Sequence, residues 1–268
     1  AISRTFRFNG IRGSLMTTLA IYSNKGGVGK TATAVNLSYL ASRTGAKTLI
    51  CDLDPQSSAT YYFRVKPKLK FGAKGFVKGG KPVNKSIKGT DYENLDLLPA
   101  DFSLRNLDVT FDKLKRSKKR LRKILSPLKA EYDFVFLDCP VSISTLGENI
   151  LNAVDTVLVP LIPTTLSVRT YGQLLSFCNK NNYDADKIYT FFSMVDRRKK
   201  MHREIMATVS KEYNGVLPSF IPYLAEIEKM GIHRAPVGAF SPKSVASKSY
   251  QTLWDKFQEI THLSLTEK

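Results

Sequence analysis

Near the start of the chain, the run Ser23-Asn24-Lys25-Gly26-Gly27-Val28-Gly29-Lys30-Thr31 combines glycines, two lysines and hydroxyls in a pattern suited to holding an anion. Glycine lets the backbone turn tightly and aim successive N–H groups at one point, and a helix starting just behind adds its positive end. Lys30 supplies a full charge for the outer phosphates of a nucleotide, and the Thr31 hydroxyl suits Mg2+. The strict G-x-x-x-x-G-K-[ST] pattern fails at its first position, where Asn24 stands; the run reads K-G-G-x-G-K-[ST], with Lys25 as an additional cation. Further on, Asp52-Leu53-Asp54-Pro55-Gln56 sets two carboxylates two residues apart, on one side of the backbone if it is extended. Leu137-Asp138-Cys139-Pro140 adds a third. One carboxylate beside a phosphate cradle can hold Mg2+ through water while another places the attacking water, because phosphoryl transfer is mostly orientation and charge neutralisation. Taken singly, the loop could be an idle turn and each Asp a helix cap; together they point to phosphate chemistry.

These residues work only if the elements carrying them meet. Apolar runs of strand length at 19–23, 48–53, 95–99, 134–139, 156–161, 188–194 and 219–221 alternate with helix-period stretches at 30–42, 114–128, 145–153, 168–179, 201–213 and 247–261. That alternation predicts an α/β fold, a mainly parallel twisted sheet with helices on both faces. The carboxyl ends of its strands, where open α/β sheets bind ligands, would then carry the loop and the Asp residues. Residues 64–90 are rich in Lys and Gly with weak periodicity and read as a long loop or basic insertion. Because strands of one sheet lie on both sides of it, residues 16–268 read as a single domain. Residues 1–15 read as a leader or an expression scar, with a native start at Met16.

The 268 residues are 43% hydrophobic, which excludes disorder as the main state, and no apolar run approaches the roughly 20 residues of a membrane span. Cys51, Cys139 and Cys178 lack metal-ligand spacing, so neither a zinc cage nor a disulfide framework is expected, and a reducing cytoplasm is the default compartment. Against 23 acidic residues stand 41 Lys and Arg, a net charge of +18. Losing the three arginines of the first 15 residues would leave that excess in place. A basic balance of this size favours a polyanionic partner.

The segments Lys25–Thr31, Asp52–Gln56 and Phe134–Pro140 together resemble the ParA/MinD group of deviant-Walker P-loop ATPases, within it the small ParA type that partitions DNA or positions cargo, carboxysome-positioning McdA-like members included. The likeness runs on more loosely through Leu158-Val159-Pro160 and 193–198 to Ile221-Pro222. It implies a Mg-ATPase with ATP and Mg2+ as cofactors, weak by itself and stimulated by DNA and by a ParB-like or adaptor protein. By the same resemblance, Lys25 reaches across a sandwich homodimer to the partner's ATP, while Gly26, Gly27, Val28, Gly29, Lys30, Thr31 and Ala32 hold the phosphates in their own subunit. Thr31 would ligate Mg2+, Asp138 would act on it through water, Asp54 would orient the hydrolytic water, and Asp52 would support the metal and lysine network. Segments around Met194 and from Pro222 onward would pack against the base. A location in the cytoplasm on the nucleoid, with no stable membrane association, completes what the resemblance implies.

Three acid-free basic stretches, 64–88, 113–123 and 197–203, are the candidates for non-specific DNA contact. The family's shared face points to Arg198, and with it Arg197, Lys199, Lys200 and Arg203; Lys118 and Lys119 represent the second stretch. One position usually Arg in the family is Glu226 here, so the standard surface is incomplete and the other stretches are candidates to compensate. Two rival readings differ in their output. A MinD-like membrane switch would need an amphipathic basic tail, yet Leu253, Trp254, Phe257 and Ile260 read better as the core face of a closing helix. An ATP-binding scaffold with negligible turnover would not need Asp54. An iron–sulfur reductase is disfavoured, since Cys51 and Cys139 sit inside strand-end motifs.

Overall fold

A computed structural model describes residues 16–114, 117–142 and 144–266, with side chains to 259. The leader expected at 1–15, and Lys115 and Arg116 of the second basic stretch, lie outside the described residues. In chain order the elements are β1 (Thr17–Ile21), α1 (Lys30–Arg43), β2 (Thr48–Asp52), α2 (Ser58–Tyr62), α3 (Gly72–Lys78), α4 (Lys81–Asn84), β3 (Lys88–Gly89), β4 (Leu95–Leu98), α5 (Leu107–Asp112) and α6 (Arg120–Leu125). They continue with β5 (Phe134–Asp138), α7 (Thr145–Ala153), β6 (Thr156–Leu161), α8 (Thr165–Lys180), β7 (Ile188–Val195), α9 (Lys200–Glu212), β8 (Val216–Pro222), α10 (Ala225–Glu228), α11 (Met230–His233), α12 (Val237–Phe240) and α13 (Val245–Thr266).

The strands form one sheet in the order β3-β4-β2-β5-β1-β6-β7-β8, parallel except for the short antiparallel edge strand β3. Successive side chains of a strand point to opposite faces, and here both faces are covered. Leu19, Ile21, Ile50, Phe136, Leu158 and Phe191 pack under α1 and α13. Ala20, Cys51, Val135, Leu137 and Val159 pack on the other side, against α6, α7 and α8. That double burial explains the continuous apolar run Phe134-Val135-Phe136-Leu137. Trp254 anchors α13, with its ring 5.4 Å from Phe134 and 5.5 Å from Phe257. Burying an indole of this kind contributes roughly 4–6 kcal/mol. Leu253, Trp254 and Phe257 are buried, so this stripe is core, as expected; the side chain of Ile260 lies outside the described residues.

Two expectations are corrected. Residues 64–90 are not a loop: α3, α4 and β3 lie within them, and Leu69, Ala73, Phe76, Val77 and Val83 are buried in the main core. The helix expected over 114–128 is broken into a 3-10 turn at Ser117–Lys119, α6, and a second 3-10 turn at Ser126–Ala130. Pro127 has no N–H to offer a continuing helix, which accounts for the second break.

Candidate functional site

Strand order alone brings the sequence motifs together. β5 lies between β1 and β2, in a register that pairs Asp138 with Ile21 on one side and with Asp52 on the other. The glycine loop leaves β1 and the Asp52-Leu53-Asp54 turn leaves β2, so all three open at the carboxyl end of the sheet.

Within the loop, Gly27 and Gly29 have φ of 69° and 91°, left-handed values that favour glycine. At Gly29 a Cβ would also stand 3.1 Å from the Ser193 Oγ, a close contact that the serine would have to yield to. Gly29 hands the chain directly to α1, so the loop's N–H groups and the first turn of that helix converge. Lys30, the first helical residue, is only 7% exposed. Burial lowers its pKa below the ordinary lysine value, and the charges of Asp138 and Asp54 oppose that shift. Its Nζ donates to the Lys25 carbonyl at 3.4 Å, tying the two ends of the loop together.

Lys25 behaves differently. Its Nζ donates to the Ser167 Oγ on α8 at 2.9 Å, and Ser167 in turn accepts from the Thr164 hydroxyl at 3.1 Å. Among the described residues Lys25 makes no ion pair, so a half-buried ammonium beside the cradle is held only by a neutral hydroxyl. Ser167 lies 142 residues away in sequence, and no spacing signal announces it.

The carboxylates divide by how well they are satisfied. Asp52 accepts from the Thr60 N–H at 2.8 Å, the Thr60 hydroxyl at 2.7 Å and the Asp54 N–H at 3.2 Å. Burial still pushes its carboxyl up to about 6, against the pull of those hydrogen bonds. Asp54 is half-buried and accepts from the Gln56 N–H at 2.9 Å, which fixes the turn. Asp138 is fully buried, and neither of its oxygens has a hydrogen-bond partner. Burial first, then the charge of Asp52, raises its carboxyl well above the usual range; the Thr31 hydroxyl faces it and works the other way without closing a normal hydrogen bond. An orphaned buried carboxylate is costly unless something else comes to it. Thr31, on the first turn of α1 with Asp138 opposite, offers the hard oxygen donors that Mg2+ takes alongside its retained waters. The residues present therefore fit that ion.

Met194, next to last in β7, lies within a register irregularity, with φ of 53°, and its Cε stands 3.9 Å from where a Gly29 Cβ would be. Pro222 ends β8, next to Val195 in register. The expected DNA-contact residues lie elsewhere. Arg197, Arg198, Lys199, Lys200 and Arg203 gather at the start of α9; Lys118 sits in the 3-10 turn, paired with Glu148 at 3.1 Å, and Lys119 is exposed beside it. Cys51, Cys139 and Cys178 are all buried, and no group of metal-binding His, Cys, Asp and Glu residues occurs among the described residues.

The family model described as "AAA domain" matches residues 16–188. Among curated relatives, the sporulation initiation inhibitor protein Soj of Bacillus subtilis is 28% identical, over 88% of this chain and 95% of its own. The chromosome partitioning protein ParA of Caulobacter vibrioides is 27% identical, over 89% and 92%. Among solved structures, a plasmid partition protein from Borrelia burgdorferi bound to AMPPNP superposes with a TM-score of 0.79 at 24% identity, covering 91% of this chain and 99% of its own, which supports the P-loop NTPase fold. With the loop, the strand order and the three carboxylates in place, the chain belongs to the AAA domain family and within it is a ParA-type P-loop ATPase.

Proposed function

We propose that the chain is a Mg-ATPase that closes, with ATP bound, into a sandwich homodimer, and that the pair holds DNA non-specifically in order to segregate or position a cargo: a plasmid, a chromosome or a large protein assembly such as a carboxysome. The observation that carries this reading is the contrast between its two loop lysines. Lys30 is buried inside its own cradle, whereas Lys25 stands beside it with no carboxylate partner, available to a second anion. Two facing triphosphates repel, so closure needs cations supplied from both sides. A lysine given in trans makes assembly depend on the γ-phosphate, and hydrolysis ends it.

Mg2+, when bound, would supply charge neutralisation for the phosphates. The chain's own residues do the rest. The 26–32 backbone and Lys30 orient the phosphates, Thr31 and Asp138 hold the metal, with Asp52 behind them, and Asp54 at the turn places water for attack. Met194 and the segment from Pro222 flank the base. The whole span 16–268 would act as one ATPase unit in the cytoplasm, on the nucleoid, with turnover raised by DNA and by a ParB-like or adaptor protein.

The membrane-switch alternative loses its main support, since the apolar stripe of α13 is core and no helix among the described residues is long and apolar enough to cross a membrane. Co-sedimentation with duplex DNA and with anionic vesicles, each with and without ATP, tests the reading. ATP-dependent retention by DNA alone is the expected result; retention by vesicles alone would replace the proposal with the rival.

A further inference from the structure

The basic stretches 64–88 and 113–123 are far apart in sequence, but the fold packs α3 and α4 of the first and α6 of the second into one group. α3 packs on α6 through Phe76, Val77, Leu121 and Ile124, all buried in one cluster. The Arg120 guanidinium donates from Nε to the Val77 carbonyl at 2.7 Å and from Nη2 to the Lys78 carbonyl at 2.8 Å, which clamps the end of α3. At Gly79 a Cβ would lie 3.4 Å from Ile124, so the two segments touch without a side chain between them. What these elements leave outside is cationic. Lys74, Lys78, Lys81, Lys85, Arg122 and Lys123 are all exposed, and none of them makes an ion pair among the described residues.

The loop that the family likeness favours is built differently. Arg198 is bound by Asp196 through Nε at 2.9 Å and Nη2 at 3.0 Å. Lys200 pairs with Glu204, Arg203 donates to the carbonyls of Arg197 and Arg198, and Arg197 lies over the Phe220 ring. Its positive field is partly cancelled by its own carboxylates, and the half-buried Glu226 follows the neighbouring strand β8. The first surface is built on α3, α4 and α6 and the second at the start of α9, separate elements whose exposed residues can be perturbed separately.

We infer that the face formed by α3, α4 and α6 is the principal DNA-contact surface of this chain, recognising the duplex through its phosphates; the inference rests on the DNA-binding reading above. Free lysines release the counterions of a polyanion most fully, because no internal carboxylate has to be displaced. A membrane is a poorer fit: the apolar residues of α3 and α6 are buried against each other, and the exposed Phe71 at the start of α3 is a single ring where an apolar stripe would be needed to enter lipid.

The test uses the full chain with Mg2+ and AMPPNP, and fluorescence anisotropy of a labelled random-sequence duplex across a salt series. Three proteins join the unaltered chain: Lys74, Lys78, Lys81 and Lys123 changed together to Ala, the same four changed to Arg, and Arg197→Ala with Lys199→Ala. The alanine face variant is expected to lose at least about tenfold in affinity, with the slope of log K against log salt flatter by about 0.9 per lost phosphate contact. The arginine version should bind like the unaltered chain, which separates lost charge from lost fold, and the loop variant should change less than the face variant. A loss as large or larger in the loop variant, or an unchanged face variant, overturns the assignment while leaving DNA binding intact. No duplex binding by the unaltered chain removes the underlying reading as well. Loss of binding to phosphatidylserine vesicles, with duplex binding kept, would make the face a membrane surface instead.

Discussion

Replacing Asp138 by Asn should stabilise the nucleotide-free protein and remove its response to magnesium. Asp138 is fully buried, with both oxygens unpartnered, so on folding it either loses water from a charge or takes up a proton. Its carboxyl is raised well above the ordinary 3.8 by burial and then by Asp52. Well below the unfolded value of 3.8 the acid is protonated in the folded and unfolded chain alike and costs nothing; as the pH climbs past that value, the penalty grows until it passes the folded value. At about 1.4 kcal/mol per decade of proton concentration, proton uptake caps the cost near 4 kcal/mol at about pH 7. Attraction to Lys30 reduces it, so a gain of about 1–4 kcal/mol is expected for Asp138→Asn at that pH, and under about 1 kcal/mol at about pH 4. Urea unfolding of both proteins at the two pH values reads the difference directly. Adding Mg2+ to the AMPPNP-bound proteins should then raise the unfolding midpoint of the unaltered chain further and leave that of the variant nearly unmoved. Equal stabilities at about pH 7, or a variant that magnesium still protects, would refute the claim that this carboxylate waits unpaired for a cation.

Three further outcomes follow from the same geometry. Asp54→Ala should cut phosphate release at least about a hundredfold with AMPPNP affinity nearly unchanged, since placing the attacking water is lost while the cradle is not; equal release rates would remove Asp54 from the chemistry. Ser167→Ala removes the hydroxyl that holds the Lys25 ammonium, and should lower the protein concentration needed for nucleotide-dependent pairing several-fold in light scattering, while Ser167→Thr should not. Trp254→Ala should cost about 3–5 kcal/mol in thermal unfolding, because the indole fills the space between α13 and the rings of Phe134 and Phe136.

Much of the site could be read before the fold was seen, for a physical reason. The glycine loop needs glycines at Gly27 and Gly29 whatever surrounds it, and a carboxylate at the end of an apolar strand faces the ligand end of a parallel sheet by construction. What could not be read is what depends on long-range placement. Ser167 holds Lys25 only because α8 passes beside the loop, and Thr60 satisfies Asp52 only because α2 folds back over β2. The region 64–90 misled for another reason. Its helices are seven and four residues long, too short to show a helical period, and its apolar residues are spaced out by lysines and glycines. The antiparallel β3 is only two residues long and is exposed, so it leaves no alternating pattern. The same failure hid the meeting of the two basic stretches, which depends on the packing of α3 on α6.

On the proposed reading, ATP joins two copies through Lys25. Equilibrium sedimentation with Mg2+ and AMPPNP tests it most directly. The unaltered chain should move from 30.0 kDa to about twice that mass. Lys25→Ala should stay at the mass of one copy while still binding the nucleotide. A chain that remains single under these conditions, or a Lys25→Ala variant that pairs as readily as the unaltered one, would contradict the account.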